Sequence, residues 1–208
     1  MSGFPHPVLM PLRRLARAAL ALLILLLPSR GLHAQQKQGA KEIKVPYQLT
    51  WGDPVEKVRE MLHAVKAQEI GSSEKSPGKV VMEAQGLAIG DPLLKKSLFS
   101  FRNGSLVEVE LQYGDASWDA SKAPDFFDRT RRRIDERYGP GMLLVNKVKE
   151  TPPDTGTAKA PKDMTYTLII YQWSQPSVAL ELNYTSVEEG TGETAKALRL
   201  VSLHYKAP

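Results

Sequence analysis

The chain has 208 residues, 42% hydrophobic and 25% charged, with 15 glycines, 15 prolines and no cysteine, proportions that fit a globular protein rather than a disordered one. The missing cysteines exclude a disulfide scaffold, a Cys-ligated zinc or iron-sulfur centre, a thiol nucleophile and a lipid anchor on a mature N-terminal Cys. Lys and Arg number 28 against 23 Asp and Glu, a net charge of +5, but the excess sits in the first 34 residues. These hold Arg13, Arg14, Arg17 and Arg30 and no acid, and setting the four aside leaves 24 bases against 23 acids, a net of +1. A basic balance confined to a leader is no signature of nucleic-acid binding.

Arg13, Arg14 and Arg17 precede the unbroken apolar run from Ala18 to Leu27, which stops at Pro28 and is followed by Leu32-His33-Ala34. A charged segment, an apolar core and a small residue at the cleavage point form a secretory signal peptide over residues 1–34, cut between Ala34 and Gln35. The apolar run is ten residues long, and a membrane-crossing helix needs roughly 20. The expectation is therefore cleavage without stable membrane insertion. Leu12 before the arginine pair and Ala16 after it depart from a twin-arginine export signal. A cysteine-free exported chain points to the bacterial periplasm or secreted space.

Residues 35–44 are mostly polar and read as a flexible tether, leaving 45–208 as one domain. Asp53-Pro54-Val55-Glu56 resembles a capping box, with Asp53 as N-cap and Pro54 in the first helical position. Val55, Val58, Leu62 and Val65 then fall on one helical stripe. Gly71 to Lys79 reads as a loop, and Val80 to Ala84 as a short strand. Lys96 to Tyr113 is a hairpin about Asn103-Gly104. A two-residue turn would pair Phe99 with Glu108 and spoil the match of apolar faces; a three-residue loop with Gly104 in a bulge would set Phe99 opposite Val107. Glu108, Glu110 and Gln112 then share a wet face.

The second half has the same order. Pro124 to Tyr138 predicts a helix with Phe127, Thr130, Ile134 and Tyr138 inward, closed by Gly139 as a left-handed cap and by Pro140. Strands are expected over Met142 to Val148, Thr165 to Trp173, Val178 to Tyr184 and Ala197 to Tyr205, with a Pro/Thr/Gly/Lys-rich excursion over 151–162. The fold class is α+β: two helix-plus-antiparallel-meander units, 45–114 and 115–208, forming one antiparallel sheet with the helices on one face.

Trp51-Gly52 followed by Val58, and Tyr138-Gly139-Pro140 after the second helix, carry a resemblance to small exported bacterial α+β modules. These are the outer-membrane assembly lipoprotein of the small E type and beta-lactamase inhibitory protein. Such modules open a helix with Gly, a cap residue and Val six positions after the Gly, and close it with Gly-Pro or Gly-x-Pro. Here Asp53-Pro54 replaces their usual Met followed by Ser or Thr, and no lipidated Cys or disulfide exists. The resemblance implies the architecture, an envelope location and work done by binding other proteins; it carries over no catalytic residue.

A search for chemistry agrees with a binding role. After cleavage only His63 and His204 remain, without a second His at metal-ligand spacing, and no Gly-x-Ser-x-Gly segment presents a nucleophile. No metal site and no cofactor are expected. The carboxylate pairs are Glu108 with Glu110, Asp135 with Glu136 and Glu188 with Glu189. Glu108 and Glu110 stand about 7 Å apart along a strand, a spacing open to acid catalysis, although alternation places both on a solvated face. Arg129, Arg131, Arg132, Arg133 and Arg137 make the second helix basic. Asp125 with Arg129 and Asp128 with Arg132 fit i,i+4 pairs, which makes this a solvated helix face. No aromatic ladder or Gly-rich phosphate loop accompanies it, so no nucleic-acid partner is expected. The glycosylation triplets at Asn103 and Asn183 matter only in a eukaryotic secretory route.

One feature departs from a plain sheet. If a turn at Ser174 to Ser177 pairs Trp173 with Val178, then Ile169, Tyr171 and Trp173 face the core, while Tyr166, Leu168 and Ile170 point the other way. Leu198, Leu200 and His204 share that outer side. These six residues are the candidate contact surface, covered either by the chain itself or by another protein or a second copy. The reading is a non-enzymatic envelope binding or scaffolding module. The alternatives are a hydrolase acting through acids near Glu108 and Glu110, or an inhibitor of an extracellular enzyme.

Overall fold

In the computed structural model, which describes residues 41–87, 92–114, 118–149, 164–189 and 196–208, each of two helices is followed by four strands. Helix α1 (Val55–Ala64) leads to β1 (Gln68–Ser76), β2 (Lys79–Gln85), β3 (Leu94–Arg102) and β4 (Ser105–Tyr113). Helix α2 (Lys122–Tyr138) leads to β5 (Met142–Lys149), β6 (Met164–Gln175), β7 (Val178–Glu189) and β8 (Lys196–Lys206). All eight strands form a single sheet in the order β1-β2-β3-β4-β8-β7-β6-β5, antiparallel at every pairing. The sequence-distant β4 and β8 meet in the middle, and β1 and β5 are the edges. The expected signal peptide, the excursion over 151–162 and part of the loop before Pro92 lie outside the described residues.

One face of the sheet, the inner face, makes the core with both helices. Met82, Phe99, Phe101, Leu106, Val109, Leu180, Leu182 and Val201 cluster there with Val58 and Leu62 of α1 and Ala123, Phe127 and Ile134 of α2. Phe127 meets Tyr171 and Tyr184 with ring centroids 6.1 and 5.8 Å apart, the tilted geometry that aromatic quadrupoles favour. Each such side chain contributes about 1.5–3 kcal/mol through burial, which is why alternation along the central strands is so regular.

Several local expectations are corrected. Residues 71–76 are strand rather than loop: β1 is an edge strand held by its ladder with β2, and it needs no apolar alternation because little of it is buried. Val65 leaves the apolar stripe, lying past the end of α1 and 49% exposed. Asp53 does not cap α1 with its side chain, and Pro54 occupies the N-cap position. The Asp53 carboxylate instead accepts from the Thr50 N–H at 2.7 Å, the Thr50 hydroxyl at 2.8 Å and Lys57 Nζ at 2.8 Å. Burial pushes its pKa up, but these bonds outweigh burial and hold it below the ordinary value. Gly139 has a positive φ of 90° with an extended ψ of 174°, so it ends α2 outside the left-handed helical region. The structure also begins before residue 45. Ile43 is 2% exposed, and its N–H donates to Gln175 Oε1 at 2.7 Å.

The hairpin resolves the parity problem in another way than a longer loop. Asn103 and Gly104, with φ of 50° and 81°, form the two-residue turn whose twist suits a hairpin. Phe101 pairs with Leu106, Ser100 pairs with Glu108, and Val107 is left as an extra residue. That bulge restores the apolar match, so Phe99 faces Val109 instead of Val107. The β6–β7 hairpin likewise turns at Pro176-Ser177 and pairs Trp173 with Leu180, not Val178. Both shifts are by two residues, so the faces from Glu108 onward and along β7 remain as expected, while Leu106 rather than Val107 enters the core beside Phe101.

Candidate functional site

The outer face is built in rows by strand register. Tyr166 of β6 stands beside Val187 of β7 and Leu198 of β8; in the next row Leu168 stands beside Thr185 and Leu200. Ile170, Asn183, Ser202 and Gln112 form a mixed row, and Gln172, Glu181, His204 and Glu110 a polar one. Ala179, Lys206, Glu108 and Ser100 complete the series. The six candidate residues therefore do share one side of the sheet. Tyr166, Leu168, Ile170 and Leu200 are half-buried, and Leu198 is 66% exposed. His204 stands apart from the other five, because β4 brings acids to it.

His204 Nδ1 lies 3.0 Å from Glu108 Oε1 and Nε2 lies 2.9 Å from Ser202 Oγ, with Glu110 Oε1 at 3.5 Å from Nε2. With a proton on Nδ1 the ring donates to Glu108, and both the Ser202 hydroxyl and Glu110 face Nε2. Gln112 Nε2 donates to Glu110 at 2.7 Å, Lys206 Nζ to Glu181 at 2.6 Å and Gln172 Nε2 to Glu181 at 3.3 Å. The hydrogen bond from His204 is the main cause that draws the Glu108 pKa below its ordinary 4.5; burial opposes it, and the charges of His204, Lys206 and Lys79 assist.

The order Ser202, His204, Glu108 has the connectivity of an acyl-transfer triad, but it is set in the middle of a sheet. Ser202 is 4% exposed and sits mid-strand in β8 between β4 and β7, where backbone N–H groups serve the ladders instead of converging on an oxyanion. An acid catalyst needs its carboxyl pKa raised, and Glu108 is shifted the other way. Buried beside Ser202 in the register, Asn183 Oδ1 has no hydrogen-bond partner among the described residues.

Sequence reasoning missed Ser202, Asn183, Glu181 and Lys206 as parts of this face. The polar alternation Ser202-x-His204-x-Lys206 was a usable signal, but the acid that His204 meets, Glu108, lies 96 residues away, and the acid that Lys206 meets, Glu181, lies 25 away. The arginines of α2 keep the expected i,i+4 spacing, through Arg131 with Asp135 and, by way of the backbone carbonyl, Arg132 with Asp128. Arg131 bonds Asp135 Oδ2 at 2.8 Å and lies 5.2 Å over the Tyr171 ring, and Arg132 Nε reaches the Asp128 carbonyl. His63 is exposed at the end of α1. Glu188 is held by Arg199, away from the polar rows.

Elsewhere, a groove of about 500 Å³ runs between residues 42–51 and the Ser177-Val178 turn, with the Trp51 indole donating to the Ser177 carbonyl at 2.7 Å. Among the described residues, no group of three or more His, Asp or Glu is placed to hold a metal ion, and no helix is long and apolar enough to cross a membrane. No protein-family model, curated protein or solved structure matches this chain.

Proposed function

We propose that this is an exported, non-enzymatic protein-binding or scaffolding module of the bacterial envelope, built from two similar helix-plus-four-strand units, that receives its partner on the outer sheet face. The observation that carries this reading is the division of that face. A contiguous apolar patch of Tyr166, Leu168, Ile170, Leu198 and Leu200 borders an interbonded polar field around His204. An apolar centre with a polar flank is the anatomy of a protein interface. The export part rests on the leader over residues 1–34, and the two-unit part on the repeated order of one helix and four strands.

The mid-strand burial of Ser202 disfavours a hydrolase acting through a nucleophilic serine, while inhibition of an extracellular enzyme would be one form of the same binding activity. The test is a photo-crosslinking residue placed at Leu198, with Glu56 on α1 as control, in cells that export the protein. A discrete adduct from position 198 and none from position 56 is expected. No adduct, or the same pattern from both positions, would overturn the reading.

A further inference from the structure

Going beyond the outer face, we infer that the β5 edge is a self-association seam, at which a second copy of this chain adds its own β5 antiparallel and continues the sheet. Among the described residues seven large hydrophobic side chains are exposed, and four belong to β5: Met142 at 60%, Leu143 at 45%, Leu144 at 43% and Val148 at 66%. Among the described residues β5 is the last strand of the sheet, and no described strand pairs with its outward edge.

The register accommodates a second copy as the occupant. Leu144 is the extra residue of a bulge between Leu143, paired with Tyr171, and Val145, paired with Ile170. Met142 and Lys147 therefore lie on the outer face with Gln172 and Leu168, while Leu143 and Asn146 lie on the inner face with Tyr171 and Ile169. A two-fold axis normal to the sheet, passing between Leu144 and Val145, sets Met142 against the other copy's Lys147 and Leu143 against its Asn146. Each pair then shares a face, and the two bulges meet at the axis. Such a self-complementary contact closes as a dimer.

Charge selects the same direction. β5 carries Lys147 and Lys149 and no acid. In the antiparallel arrangement the two copies of Lys147 are five residues apart along the strands, about 17 Å, beyond the screening length of ~8 Å at physiological ionic strength. In-register parallel pairing would bring them to about 5 Å. The antiparallel seam also lays each Lys147 stem along the partner copy's Met142, where its methylenes cover apolar surface.

The absence of native cysteine gives a clean crosslinking test. The protein purified from the exporting cell is weighed by light scattering from about 1 to 100 μM, and single-cysteine variants Leu144→Cys in β5 and Ser73→Cys in β1 are mildly oxidised. Across the axis the two copies of residue 144 are diagonal neighbours, with Cα atoms about 6 Å apart, within disulfide reach. The expected results are a mass of twice the chain and a disulfide-linked dimer from Leu144→Cys alone. A monomer mass at every concentration, a dimer that Leu144→Cys does not crosslink, or equal crosslinking from both edges would overturn the inference. The mass of the unaltered protein decides the case if a variant fails to fold.

Discussion

The two edges of this sheet solve the same problem in opposite ways. β1 is interrupted by register shifts between Glu69 and Gly71 and between Glu74 and Ser76, and it exposes Gln68, Ser72, Glu74 and Lys75. Bulges and charges of this kind discourage an added strand. β5 has one bulge, no acid, and apolar side chains bared on both faces. It is also fastened from behind. The Trp173 indole, 5% exposed, donates to the Gly139 carbonyl at 2.9 Å and to Asp135 Oδ1 at 3.2 Å, and Gly141 N–H donates to the same Asp135 oxygen at 2.9 Å. A fastened apolar edge and a frayed polar one show that edge protection is set strand by strand.

The largest effect on this contrast is expected from Trp173→Ala. Removing a buried indole costs about 3–5 kcal/mol, a drop in Tm on the order of 10 °C for a domain of this size. The same substitution frees the link between α2 and β5. Hydrogen exchange of β5 should then rise to the level of β1, and unchanged protection would show that the edge is fastened in some other way.

The seam between the two groups of strands responds next. Since the Glu108 pKa lies below 4.5 in the folded chain, its ionised form contributes stability above about pH 4.5, and this is lost as pH falls through the folded value. Glu108→Gln should cost about 1 kcal/mol at pH 7. In urea melts the gap between the variant and the unaltered protein should shrink at pH 3. A gap independent of pH would mean the His204 bond does not depend on the charge of Glu108. The smallest effect is expected from Ile70→Lys in β1, an exposed site on the guarded edge: a stability change within about 0.5 kcal/mol and no change in solution mass. A shift in mass would show that β1 is also an association edge.

Most of the central elements were legible from residue order, since buried strands and helices repeat at periods of 2 and 3.6. The expected spans Lys96 to Tyr113 and Val178 to Tyr184 fall on β3, β4 and β7, and Phe127 and Ile134 are buried as their spacing predicts. β1 was not legible because its residues are ordered by backbone bonds to β2, with few apolar side chains to report it. The hairpin was half legible. Parity required Phe99 to meet an apolar residue, yet a longer loop and a bulge at Val107 satisfy parity equally well, and only the strands packed on either side distinguish them. At the site, the outward direction of Leu168, Ile170 and Leu200 followed from alternation, whereas the company of His204 did not.

By itself the sequence determined the apolar run from Ala18 to Leu27, the absence of thiol chemistry, the helical stripes and the alternation that gives each central strand its two faces, because these depend on residues a few positions apart. Tertiary structure alone decided that β4 lies against β8, that His204 therefore stands between Glu108 and Glu110, and that β5 rather than a better guarded strand ends the sheet. Strand neighbours are chosen by ladder bonds and shared burial between residues up to about a hundred positions apart, and those energies are summed over the whole sheet at once.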